Sequence, residues 1–140
     1  MKTKLVLVAA ALAAVAVSQD ATRSVWDGIY SEAQAKCGEA SYGSQCASCH
    51  GDQLTGGEMA PPLAGGDFLS NWDGLTVGDL FDRVRTTMPA SRPGSLSREE
   101  NADILAFILA FNKFPAGGKE MSSHSEMLKQ IKIQADKPKK

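Results

Sequence analysis

Gln45–His50 reads Gln-Cys-Ala-Ser-Cys-His, "QCASCH", and its chemistry decides what the rest of the chain folds around. Two cysteines three positions apart suit a disulfide, a redox dithiol, half of a zinc site or a pair of anchors for a haem. His50 follows the second cysteine directly. A plain disulfide between Cys46 and Cys49 leaves that His without a role.

Working outward, the flanking chain separates these readings. On a helix, Cys46 and Cys49 lie one turn apart and their thiols emerge on one side of the backbone. That spacing suits thioether bonds to the two vinyl groups of a porphyrin, with His50 reaching the iron from the same face. The string Cys-x-x-Cys-His is the attachment signal of a c-type haem. A dithiol oxidoreductase needs a strand leading into the first Cys, and no strand pattern precedes Cys46. A zinc site would have to combine Cys37, Cys46, Cys49 and His50. Adjacent residues rarely serve one tetrahedral centre together, and the chain has no second Cys-x-x-Cys and no paired His. Three cysteines in all also cannot complete a disulfide framework.

The N-terminus bears on where such a site is assembled. Lys2 and Lys4 precede an unbroken apolar run of 13 residues, Leu5 to Val17, short of the ~20 needed to cross a bilayer. Ala16 and Ser18 stand at the −3 and −1 positions of a cleavage site before Gln19. Residues 1–18 are therefore expected to be a signal peptide, with the mature protein exported, periplasmic and without stable membrane insertion. Without Lys2 and Lys4 the balance is 13 basic to 16 acidic residues, too mild to predict a nucleic-acid partner. The charge is uneven, with six lysines in residues 119–140.

About 120 mature residues make one small domain that needs a staple. Residues 19–114 are expected to form it, helical extension included, with 115–140 a Lys-rich tail. Val25 to Tyr42 reads as a helix with Ile29, Ala33, Cys37 and Tyr42 along one side. From His50 to Gly78 the dense Gly and Pro predict loop and tight turns. A loop of that length needs something to wrap. Thr76 begins a helix with Asp79 as its first-turn acid, and Leu80, Phe81 and Val84 give it an apolar side. Pro89 should stop it near Thr87. Ser97 and Glu100 form a capping box for a last helix with an apolar band at Ile104, Leu105, Phe107, Ile108 and Phe111. The fold class is all-α, with three or four helices and long loops.

From about Gly38 to Phe111 the sequence resembles a monohaem class I cytochrome c. It is similar to bacterial periplasmic cytochromes found with quinoprotein dehydrogenases, on the strength of "GSQCASCHG" (43–51), "APPLAG" (60–65) and "LFDRVRTTMPA" (80–90). The resemblance implies a helical shell around one haem c, covalent through Cys46 and Cys49, in which the first and last helices cross. Gly38 and Tyr42 match the family's close-contact glycine and aromatic residue, and Ile104 and Phe107 their partners. His50 is the implied iron ligand. Met88, 38 residues further on and held by Pro89, matches the family's Met-Pro and offers a neutral, soft thioether donor. An open sixth position is the alternative. Met59 lies too close to His50 to round a porphyrin edge, and Met121 and Met127 fall in the tail.

By the same resemblance Pro61 offers the carbonyl that orients the His, and Trp72 the indole that bonds a haem propionate. Arg83 and Arg85 are expected on a solvated helix face, with propionate pairing as the other reading. Cys37 is expected to be a buried or half-buried free thiol; an intermolecular disulfide is the alternative. The tail is left with three possibilities: lying across the domain through Leu128 and Ile131, disorder, or binding a partner. The function implied is single-electron transfer with protein partners, a dehydrogenase as donor and an oxidase or another cytochrome as acceptor, and no active site of its own. The alternatives are a five-coordinate sensor or gas-binding cytochrome, and a permanent haem subunit of a larger oxidoreductase.

Overall fold

A computed structural model describes residues 21–139; the expected signal peptide, residues 1–18, lies outside them. Among the described residues the order is β1 (Arg23–Ser24), a 3-10 turn (Val25–Asp27), α1 (Glu32–Gln45), α2 (Ala47–His50), α3 (Gly65–Trp72), α4 (Val77–Thr87), α5 (Arg98–Phe111), α6 (Ser125–Leu128) and β2 (Ile131–Lys132). The two short strands pair in parallel, Arg23 opposite Ile131 and Ser24 opposite Lys132. The fold is otherwise all-α.

The crossing of α1 with α5 sets the scaffold. Its contact point is Gly38, where an added Cβ would lie 1.8 Å from the Asp103 carbonyl oxygen and 2.9 Å from the Ile104 nitrogen. No side chain fits between the two backbones there. One turn on, the Tyr42 and Phe107 rings pack with centroids 5.2 Å apart. Ile104, Leu105, Ile108 and Leu109 are buried on α5, each such side chain contributing ~1.5–3 kcal/mol of apolar stabilisation.

The N-terminal helix differs from the expected Val25–Tyr42. Gly28 takes a left-handed conformation (φ 65°) and closes the 3-10 turn, and α1 starts only after Ser31, whose hydroxyl accepts from the Gln34 N–H. The buried face consequently shifts to Gln34, Ala35, Gly38 and Tyr42. Ala33 and Cys37 turn outward, which corrects the expectation of a buried thiol at Cys37. The stretch 50–78 is also less loop-like than its composition suggests, because α3 forms within it.

The other helix signals act where they stand. Thr76 and Asp79 form a reciprocal capping box at the start of α4, and Ser97 and Glu100 another at α5. Helix α4 stops at Thr87, and Met88 is extended (φ −119°, ψ 156°). Of the three possibilities for the tail, the chain takes the first. It runs back over the fold and buries Met121, Leu128, Ile131 and Ile133.

Candidate haem site

The Cys-x-x-Cys-His segment is one turn of helix. Cys46 is the shared boundary of α1 and α2, and the amides of Cys49 and His50 both donate to its carbonyl, at 3.2 and 3.0 Å. That single turn stacks Cys46, Cys49 and His50 along one side of the backbone. Gly51 (φ 80°) ends it. The Tyr42 hydroxyl donates to the Gly51 carbonyl at 2.8 Å, so the turn is tied back to α1. Cys46 is half-buried, Cys49 is exposed and His50 is buried. All three cysteines are free of disulfides. Burial pushes the Cys46 thiol up to about 11, and burial with the nearby Cys46 and Asp52 groups pushes the Tyr42 phenol up to about 12. A thiol held protonated at neutral pH is a poor redox nucleophile. The α1 helix, not a strand, leads into it.

His50 is oriented from behind. Its Nδ1 lies 2.8 Å from the Pro61 carbonyl oxygen. A carbonyl only accepts, so Nδ1 carries the proton, and in the neutral ring Nε2 keeps its lone pair for a metal. Pro61 reaches that place through a tight loop. The Gly56 N–H donates to the His50 carbonyl at 2.8 Å, and Gly56 is left-handed (φ 73°), with room for no Cβ against Ala60, Pro61 and Pro62. Leu54, also left-handed (φ 56°), is fully buried. It accepts from the Leu63 N–H at 2.8 Å. The Asn112 side chain then brackets the loop end, donating to the Leu63 carbonyl at 2.9 Å and accepting from the Gly65 N–H at 3.0 Å. Gly56 and Asn112 escaped sequence reasoning. Only the doubled glycine before "EMAPP" hinted at the first, and nothing hinted at the second.

Met88 is half-buried at the end of α4, its N–H bonded to Val84 at 2.9 Å. The loop after it folds on itself, Arg92 N–H to Pro89 carbonyl at 2.9 Å and Gly94 N–H to Met88 carbonyl at 3.3 Å. The Arg92 guanidinium then donates to the Gln45 side chain at 3.1 Å. Gln45 immediately precedes Cys46, so the Met88 loop is pinned beside the cysteine pair. Met59, by contrast, is 94% exposed. Trp72 is half-buried at the end of α3, its ring centroid 6.5 Å from that of Phe68.

The two arginines of α4 part company. Arg83 is exposed as expected, but Arg85 is half-buried. Its Nε is enclosed and finds no acceptor among the described residues, which departs from a solvated helix face. An enclosed cationic donor calls for an anionic acceptor, and a haem carries two carboxylates. Lone-pair nitrogen, free thiols, half-buried thioether and orphaned guanidinium together form a donor set that fits a haem. Among the described residues no three His, Cys, Asp or Glu side chains gather as an all-protein metal centre. An open groove of about 610 Å³ between α1 and the end of α5 is lined by neither His50 nor Met88. Among the described residues no helix is long and apolar enough to cross a membrane.

A family model described as cytochrome c oxidase, cbb3-type, subunit III matches residues 33–108, more than half of the chain. Among solved structures, the chain is similar to one in the crystal structure of the sulfane dehydrogenase SoxCD from Paracoccus pantotrophus. The identity is 25% and the TM-score 0.51, over 92% of this chain and 68% of that one. No curated protein matches.

Proposed function

Since this chain belongs to the cytochrome c family represented by subunit III of cbb3-type cytochrome c oxidase, and is thereby a haem c electron-transfer protein of class I fold, we propose that Cys46 and Cys49 carry the haem and that His50 and Met88 ligate its iron. Bound there, the group supplies a one-electron iron couple, and a His/Met pair favours the reduced state. The chain's own residues do the rest. Pro61 holds the His50 tautomer, so the imidazole meets the iron as a neutral ligand without reorientation. Met88 brings a sulfur with no proton to exchange at neutral pH. Held by His50 and Met88 together, the iron would be closed to substrate, which is the arrangement of a carrier. Arg85 would pair a propionate, and Trp72 would bond one through its indole N–H.

The reading extends to the chain's setting. Residues 1–18 direct export to the periplasm, 19–114 form the haem domain and 115–140 an added segment. Electrons arrive from a dehydrogenase and leave to an oxidase or another cytochrome through small, short-lived interfaces. The likeness to a chain of a sulfane dehydrogenase structure favours an oxidoreductase as the neighbour, whether met transiently or bound as a permanent subunit.

The observation that carries the proposal is the His50–Pro61 contact at 2.8 Å. It leaves the ring nitrogen of a Cys-x-x-Cys-His motif free and fixed. The test is a set of visible and near-infrared spectra of the holoprotein and of Met88→Ala. A c-type alpha band in the reduced protein and a weak near-infrared sulfur-to-iron band in the oxidised one are expected. Met88→Ala should keep the first and lose the second. An unchanged near-infrared band in Met88→Ala would rule Met88 out. Ready binding of carbon monoxide by the unmodified protein would favour the five-coordinate sensor instead.

A further inference from the structure

The segment 119–139 lies outside the family match, yet it is the principal helical neighbour of α4. It is fastened at both ends of its path. Near Met121, the Gln34 side chain of α1 accepts from the Met121 N–H at 2.7 Å and donates to its carbonyl at 3.1 Å. Further on, the Gly74 N–H donates to the Ile133 carbonyl at 2.9 Å, and the Ile133 N–H to the Leu75 carbonyl at 2.8 Å. The Ala135 N–H donates to the Asp73 carboxylate at 2.8 Å. These bonds bind the segment to the turn that launches α4.

Between the fastenings the segment grips α4 itself. An added Cβ at Gly78, in the first turn of α4, would lie 2.6 Å from the Lys129 backbone nitrogen, so the two segments touch backbone to backbone. One turn on, the Asp82 carboxylate accepts from the Ser125 hydroxyl at 2.7 Å and faces the Lys129 ammonium at 3.4 Å. Leu128 and Ile133 are wholly buried in the same cluster as Val77, Leu80 and Phe81. Helix α4 ends at Thr87 and hands the chain directly to Met88, so whatever holds α4 sets where Met88 stands.

On the reading of Met88 as an axial ligand, we propose that residues 119–139 are a latch that seats α4 and thereby keeps the Met88 sulfur in place. Release of the latch frees the sixth iron position while the α1–α5 crossing stays folded. Partial opening of this kind lies well below global unfolding in free energy when the opening unit is a contiguous peripheral segment. An added ligand that competes with Met88 reads the opening directly. Its apparent affinity scales with the fraction of molecules in the released state.

The experiment uses the full-chain ferric holoprotein and titrates imidazole, following loss of the near-infrared band. Leu128→Ala and the milder Ser125→Ala are compared with Tyr30→Phe. Tyr30 donates its hydroxyl to the Phe114 carbonyl, a buried bond that involves neither α4 nor residues 119–139. Leu128→Ala is expected to bind imidazole about tenfold more tightly, the effect of a tenfold larger released population, and Ser125→Ala should move the same way by less. Tyr30→Phe should lower the melting temperature and leave imidazole affinity unchanged. If the latch variants shift affinity no more than Tyr30→Phe does at matched melting temperature, the latch is overturned. Met88→Ala is titrated in parallel. A band that survives in it overturns the ligand assignment and the latch together, whereas a lost band with unmoved latch variants overturns the latch alone.

Discussion

At Gly38 a single hydrogen stands between two helix backbones, and the consequence is quantitative. Gly38→Ala would drive a methyl to 1.8 Å from the Asp103 carbonyl, and neither backbone can rotate away as a side chain could. A loss of about 3 kcal/mol or more is expected, at the upper end of overpacking effects, measured by denaturant unfolding of the holoprotein. Two carboxylates on the same scaffold respond to pH in opposite directions. Burial pushes the Asp103 carboxyl up, and Glu120, Glu100 and Glu99 add to it against the Gln34 bond. Its contribution is therefore present below the ordinary carboxylate value of about 3.9 and is lost as pH rises through the higher folded value. Asp103→Asn should raise the melting temperature at pH 7 and leave it unchanged at pH 3. Burial also raises Asp82, but the Ser125 hydroxyl, Lys129 and Arg85 outweigh it and hold that carboxyl below its ordinary value. Its contribution is present above the ordinary value and lost as pH falls through the lower folded one. Asp82→Asn should thus destabilise at pH 7 and not at pH 2.

Helix by helix, what was legible followed from how local the signal is. The capping boxes Thr76/Asp79 and Ser97/Glu100 each lie within four residues and act in the fold as their spacing says. Thr76→Ala is expected to cost about 1 kcal/mol, read by the same unfolding assay, because the Asp79 N–H loses its hydroxyl acceptor and the Asp79 carboxylate loses the hydroxyl donor at the head of α4. The stop at Pro89 was legible for the same reason. The start of α1 was not, since helix-compatible residues from Val25 onward hid the left-handed turn at Gly28. That turn is fixed by a distant partner: Gly28 packs against Gly117, and the Gly117 N–H donates to the Tyr30 carbonyl at 2.7 Å. Helix α3 was masked by its two opening glycines. The Cys-x-x-Cys-His turn and the family resemblance named the candidate ligands. The devices that hold them, Gly56 behind Pro61, Arg92 on Gln45 and Asn112 on the loop end, depend on pairs far apart in sequence and have no local signature.

Across the whole molecule the same divide separates core from latch. Trp26 donates its indole N–H to the Gln134 carbonyl across 108 positions of sequence, and β1 meets β2 over a similar span. Composition alone made residues 115–140 look like a charged tail. Charge, however, is legible from end to end. Residues 37–82 contain seven acids and no Lys or Arg, and this stretch holds the exposed Cys49 and its neighbours Asp52 and Glu58. If electrons leave beside Cys49, oxidation of the reduced protein by a cationic cobalt complex should slow with added salt, and oxidation by ferricyanide should quicken. Stopped-flow traces over a range of ionic strength check the sign.

The same run without Lys or Arg provides the decisive assay, since trypsin releases residues 37–83 as one peptide carrying all three cysteines. Mass spectrometry of exported protein after acid–acetone extraction should find one porphyrin retained on that peptide, and none retained when Cys46 and Cys49 are both replaced by Ser. A peptide of unmodified mass from correctly exported protein would contradict the account at its root.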